Sequence, residues 1–235
     1  MAVFILSCQN NPPTREADIP DSLNALVQKR IEEKKRREEY RREYLKPEFS
    51  RKIKKYYPII RKYSKRYGMD WRLITAQIIK ESRFKEDARS QVGAMGLMQI
   101  MPLTAKDITR ELDIEYITRD PRENIAAGIY HLYKQQKYFQ EADPENRIKL
   151  ALAAYNAGAG RVFDAQDIAR YLRMNPNTWE AVRTALPHLT NKDWKMHLEV
   201  WEQGTPPHGY FYGYEQTINY VDDITHTYQI FKKLF

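Results

Sequence analysis

Residues 76–102 read AQIIKESRFKEDARSQVGAMGLMQIMP. An apolar run closes on a single acid, Glu81, and gives way to a loop with glycines at 93 and 96 and a proline at 102. Taken with the residues before it, the stretch DWRLITAQIIKESRF (70–84) places Ile74, Ile78 and Glu81 on one face by i, i+4, i+7 spacing, which predicts a helix. On that helix Glu81 continues an apolar stripe instead of facing water. Loss of hydration raises the pKa of a carboxyl and keeps it protonated near neutral pH, as a general acid requires. The plainer reading is a surface glutamate at a fraying helix end, and this stretch by itself leaves both open.

From residue 50 onward the pattern is helical, with turn residues at the joints. Ser50 is expected to cap a helix running to Gly68 at its C′ position, and Asp70 to cap the next one. Gly93 and Gly96 permit close backbone approach. Met98 and Gln99 offer an apolar and an amide contact along a groove, although methionines at such spacing also serve as core filling. Two later stretches, DPRENIAAGIYHLYKQQ (120–136) and NRIKLALAAYNAGAGRV (146–162), share one construction, a helix with a face of small residues. Tyr155 and Asn156 can stack on and hydrogen-bond a sugar; equally, Tyr155 can sit in the core with Asn156 in a helix stop.

Composition narrows the functional classes. With 235 residues, 42% hydrophobic and 12% aromatic, the chain can bury a substantial core. Five histidines without HExxH spacing and one cysteine point to neither a zinc site nor a disulfide framework. Of the net charge of +8, residues 28–66 supply 17 Lys/Arg against 6 Asp/Glu, or +11, which leaves −3 for the rest. That segment reads as charged helix broken near Pro47, supported by Glu32–Arg36, Glu33–Arg37 and Glu38–Arg42 pairs. It suits a solvated spacer or contact with an anionic surface; no nucleic-acid module accompanies it, so no nucleic-acid partner is expected. The start, MAVFILSCQNNPP, resembles a lipoprotein signal with Cys8 as the lipidated residue; a leader carrying a stray cysteine is the alternative. No stretch reaches the roughly 18 apolar residues of a spanning helix.

Four motifs in order resemble those of the Slt-type lytic transglycosylases: Glu81-Ser82-Arg83-Phe84; Gly93 through Pro102; Asn124-Ile125 with Gly128; and Ala154-Tyr155-Asn156-Ala157-Gly158. The resemblance covers roughly residues 50–235. It implies an all-α, goose-lysozyme-like catalytic domain over 50–235; the lipoprotein-like start and the charge pattern add a leader (1–20) and a charged helical extension (21–49) before it. It implies Glu81 as the sole catalytic acid/base, Ser90 as a substrate-positioning residue, and Gly96, Met98 and Gln99 along the saccharide groove. Tyr155 and Asn156 would form the next wall. In GYEQTINYVDDI (213–224), Thr217, Tyr220 and Val221 match the family; either Gln216 replaces the usual glutamate or one residue has been inserted after Glu215, so Tyr220, and not Glu215, is expected in the site. The stretch GTPPHGYFYGYE (204–215) partly resembles the GYxxG of a membrane-bound branch.

The implied reaction is non-hydrolytic cleavage of the β-1,4 bond between N-acetylmuramic acid and N-acetylglucosamine in peptidoglycan, giving 1,6-anhydro ends without metal or cofactor. A lysozyme-type hydrolase and a non-catalytic glycan-binding protein are the alternatives. Peptidoglycan strands, and a membrane reached through Cys8, are the partners expected of such a chain, placing it in the periplasm as an anchored lipoprotein.

Overall fold

The computed structural model describes residues 21–44 and 47–235. Among these, ten α-helices follow one another: α1 (Asp21–Tyr44), α2 (Pro47–Arg66), α3 (Trp71–Ser82), α4 (Pro102–Leu112), α5 (Pro121–Lys137), α6 (Pro144–Ala157), α7 (Ala159–Tyr171), α8 (Trp179–Ala185), α9 (Trp194–Val200) and α10 (Tyr214–Leu234). Short 3-10 turns at Leu186–Leu189 and Asn191–Asp193 link α8 to α9. The all-α expectation holds among the described residues, where isolated bridges join Arg89 to Met95 and Met95 to Ile100 but no strand forms. The expected leader and Cys8 lie outside the described residues. No described helix is long and apolar enough to cross a membrane.

Helix starts follow side-chain chemistry. Asp70 accepts a hydrogen bond from the Arg72 backbone N–H at 2.9 Å, as its position before α3 predicts. Asp120 and Asp143 each precede a proline; each accepts from two backbone N–H groups of the first turn, while the proline occupies the first position with its fixed φ. At the end of α2, Gly68 takes φ 67° and the Met69 N–H reaches the Ser64 carbonyl at 2.8 Å, the closure expected of a C′ glycine. Ser50 departs from expectation. Pro47 opens α2 three residues earlier, so Ser50 lies exposed within the first turn and caps nothing.

Helix α6 is the centre of the molecule. Leu150 through Ala154 are all buried, the pattern of a helix enclosed on every side. Around it pack α5, α7 and α10, and α10 also returns along α3. Each fully buried leucine here contributes about 1.5–3 kcal/mol relative to exposure. One hydrophobic cluster runs from Ile53 to Leu234, so the first and last helices of that span share a core.

Candidate active site

Helix α3 stops abruptly. Arg83 and Phe84 both take left-handed backbone, φ 50° and 58°, which costs a non-glycine residue roughly 1–2 kcal/mol. Surrounding contacts hold them there: Phe84 is buried and stacks on Tyr56 with ring centroids 6.0 Å apart, and Ser82 Oγ donates to the Leu97 carbonyl at 2.9 Å. In Glu81-Ser82-Arg83-Phe84, the serine therefore ties the helix end to the glycine loop and the phenylalanine anchors the exit. Glu81 is left at the last turn of α3, half-buried, on the stripe that Ile74 and Ile78 bury completely.

The carboxyl is met from the far end of the chain. Tyr220, on α10 and almost fully buried, donates its O–H to Glu81 Oε1 at 2.5 Å. Gln77, one turn before Glu81, donates Nε2 to the Tyr220 oxygen at 3.1 Å and so sets the phenol's orientation. At the surface, Lys80 and Asp223 join the same two helices at 2.5 Å, although an exposed pair adds little stability. Burial pushes the Glu81 pKa up to about 8, against the opposing pull of the Tyr220 hydrogen bond and the Lys80 charge. Among the described residues no second carboxylate bears on its ionisation. Burial, with Glu81 nearby, likewise holds the phenols of Tyr155 and Tyr220 well above their ordinary range.

The glycine loop is clasped from several sides. Asn124, buried on α5, accepts from the Met98 N–H at 2.8 Å and donates to the Met95 and Ile117 carbonyls at 3.0 Å each. Gly96 is what lets it approach: a Cβ there would meet the Asn124 amide at 2.4 Å, and φ is 81° besides. Gly128 does the same for Met98, whose side chain lies 2.5 Å from where a Cβ would sit.

The expected site residues thus occupy different stations. Glu81 and Tyr220 touch. Tyr155 is half-buried and donates its O–H to the Met98 carbonyl at 2.7 Å, with the His131 ring 4.9 Å behind it. Asn156 accepts from Thr217 Oγ1 at 2.9 Å, which links the end of α6 to α10 three residues before Tyr220. Met98 is completely buried and fills core. Gln99 takes left-handed backbone and folds its amide back onto the Ala88 and Gly96 carbonyls. Ser90 Oγ accepts from the Ala94 N–H at 2.9 Å, shaping the turn. Glu215 and Gln216 are exposed at the start of α10, whereas Thr217, Tyr220 and Val221 are buried. Gln77, Ser82, Asn124 and Thr217 received no site role from the sequence. A glutamine on the Ile74–Glu81 stripe, one turn before the acid, was the available signal for the first. Among the described residues no three His, Cys, Asp or Glu side chains converge as metal ligands would.

The profile of the Transglycosylase SLT domain family matches residues 58–176, which carry Glu81, the loop, Asn124 and Tyr155. The chain belongs to the SLT transglycosylase family. A protein named membrane-bound lytic murein transglycosylase F from Desulfosudis oleivorans is 35% identical over 185 residues, covering 77% of this chain and 37% of that protein. Its namesake from Histophilus somni is 34% identical over 175 residues, 73% of this chain and 33% of the relative. This SLT family member therefore spans about a third of the length of the curated relatives it matches. Among solved structures, the 70-kDa soluble lytic transglycosylase of Escherichia coli aligns with 75% of this chain and 24% of its own, at 24% identity and a TM-score of 0.48. Tyr220 lies beyond the matched span of the SLT family, and reaches it only by the return of α10.

Proposed function

We propose that the chain is a peptidoglycan lytic transglycosylase whose catalytic unit is residues 50–235. The observation that carries this reading is Glu81: one desolvated carboxyl with a pKa near 8, held by Tyr220, with no other acid at a comparable motif position. Glycoside hydrolysis by the two-carboxylate route needs a nucleophile or base at a set separation, and a lone acid fits a substrate-assisted route instead. Protonated Glu81 gives its proton to the oxygen leaving C1 of the N-acetylmuramic acid, and that C–O bond breaks. The sugar's own acetamido group supports the positive charge developing at C1. Glu81, now a carboxylate, takes the proton of the C6 hydroxyl as that oxygen bonds to C1, which closes the 1,6-anhydro ring and restores the acid. No water is consumed.

Tyr220 is a positioning residue in this scheme, and Tyr155 and Asn156 form the groove wall beside it. Ser90, Gly96, Met98 and Gln99 serve through the shape of the loop they build. The names of the relatives support action on murein at a membrane, and with Cys8 they support a periplasmic lipoprotein; diacylglyceryl mass on Cys8 of the purified protein is the check. For the reaction, the test is mass spectrometry of sugars released from purified peptidoglycan by the wild type and by Glu81→Gln. Anhydro-muropeptides from the wild type, and none from the variant, are expected. Reducing-end products mean a hydrolase, and no release with binding intact means a glycan-binding protein.

A further inference from the structure

Between Phe49 and Met69 the chain carries eight Lys/Arg and no Asp/Glu. Helix α2 sorts them. Arg51, Lys54, Lys55, Arg61, Lys62, Lys65 and Arg66 are exposed, whereas Ile53, Tyr56, Ile60 and Ser64 are buried. At about 100° per residue the exposed cations fall within an arc of roughly 140°, along roughly 22 Å of helix. Lys55 pairs with Glu86 at 2.5 Å; among the described residues no carboxylate pairs with the others. Beside this stripe a groove of about 970 Å³ opens, floored by Ile53, Tyr57, Trp71 and Phe235 and rimmed by Lys54, Arg42 and one acid, Glu38. Phe235 is 49% exposed there.

We propose that the outer face of α2 docks on a bilayer bearing anionic headgroups, with the neighbouring groove taking up the apolar boundary beneath them. A cationic arc alone would suit any polyanion. An aromatic and aliphatic floor opening next to that arc suits a surface that is anionic outside and apolar within, where Lys and Arg stems lie along the boundary with their heads in the charged layer. The face is fixed relative to Glu81. Helix α2 packs on α3, and Tyr56 O–H and Lys55 Nζ both donate to Glu86, in the segment that follows Glu81. Docking would therefore set the orientation of the groove over whatever lies above the membrane. It does not depend on the reaction proposed above.

The test uses the full 235-residue chain with Cys8→Ser, so that no acyl chain contributes, in sedimentation with sucrose-loaded vesicles. Vesicles of phosphatidylcholine containing phosphatidylglycerol should bind at least tenfold better than phosphatidylcholine alone, and the advantage should fall steeply with added salt. Each basic residue at such a surface is worth about fivefold, so Lys54→Glu/Arg61→Glu/Lys65→Glu should lose at least about a hundredfold. The milder Lys54→Gln/Arg61→Gln/Lys65→Gln should lose less, and guards against misfolding of the first variant; circular dichroism melting checks both. Phe235→Ser should weaken binding several-fold with its salt dependence intact. Equal binding to both vesicle types, or full binding by both triple variants, overturns the proposal. So does displacement by soluble polyphosphate at equal charge with Phe235→Ser unaffected, which would make the face a polyanion site.

Discussion

Glu81 owes its chemistry to where its helix ends. A carboxyl of pKa about 8 keeps its proton at neutral pH, and its conjugate base is strong enough to take a proton back, so one side chain can serve as acid and then as base. Activity should therefore fall about tenfold per pH unit above pH 8, as the acid form is lost. The Tyr220 hydrogen bond favours the charged form of Glu81, so Tyr220→Phe should raise the pKa further and move that alkaline limb upward. It should also lower kcat by roughly 10–100-fold through lost orientation. A pH–rate profile decides; an unmoved limb would refute the assigned role of the phenol. Stability follows the same proton over a lower pH window. Between pH 4.5 and about 8 the folded state holds a proton that the unfolded chain has released, so stability declines as pH rises through that window. Glu81→Gln removes the decline. Its Tm should match the wild type near pH 4 and exceed it near pH 8, by roughly 2–4 °C for each kcal/mol relieved, as calorimetry at the two pH values can measure.

At the scale of elements, the loop between α3 and α4 stays in place because α5 holds it. Asn124→Ala would orphan the Met98 N–H and the Ile117 carbonyl and leave the Met95 carbonyl with the Ile100 N–H alone, and should cost about 2–4 kcal/mol. Urea unfolding is the measurement, and a loss below about 1 kcal/mol would show the clasp to be dispensable. Gly96→Ala should be as harmful from the other side, since its Cβ meets the same amide. Much of this architecture was legible in the sequence. The stripe through Ile74, Ile78 and Glu81, the Asp70 cap and the Gly68 stop all follow local periodicity or local backbone need. The destinations of polar side chains do not. Tyr155 spends its hydroxyl on Met98, 57 residues away, and Gln99 turns back on its own loop. Both outcomes depend on which helix arrives opposite, and nothing in the local pattern states that. Ser50 failed for a local reason, because a proline nearby started the helix first.

Across the whole molecule, the charged N-terminal helix and the core are separable in energetic terms. The hydrophobic cluster begins at Ile53, and α1 presents Leu26, Val27 and Ile31 to solvent. Deleting residues 1–45 should leave cooperative melting with a Tm within about 5 °C of the full chain, since little apolar area is surrendered. Scanning calorimetry tests this, and loss of the transition would show α1 to be integral. Ending the chain at Gly213 should instead abolish the fold, because α10 buries Tyr220, Val221, Ile224, Ile230, Phe231 and Leu234. That late helix also sets a timetable. Glu81 and Tyr220 stand 139 residues apart, so during synthesis the acid emerges long before the phenol that will hold it. Until α10 folds back, Glu81 is an ordinary glutamate in water, with an ordinary affinity for protons. A chain whose α10 has yet to pack is thus chemically mute at Glu81, and the acid is armed only when that helix returns.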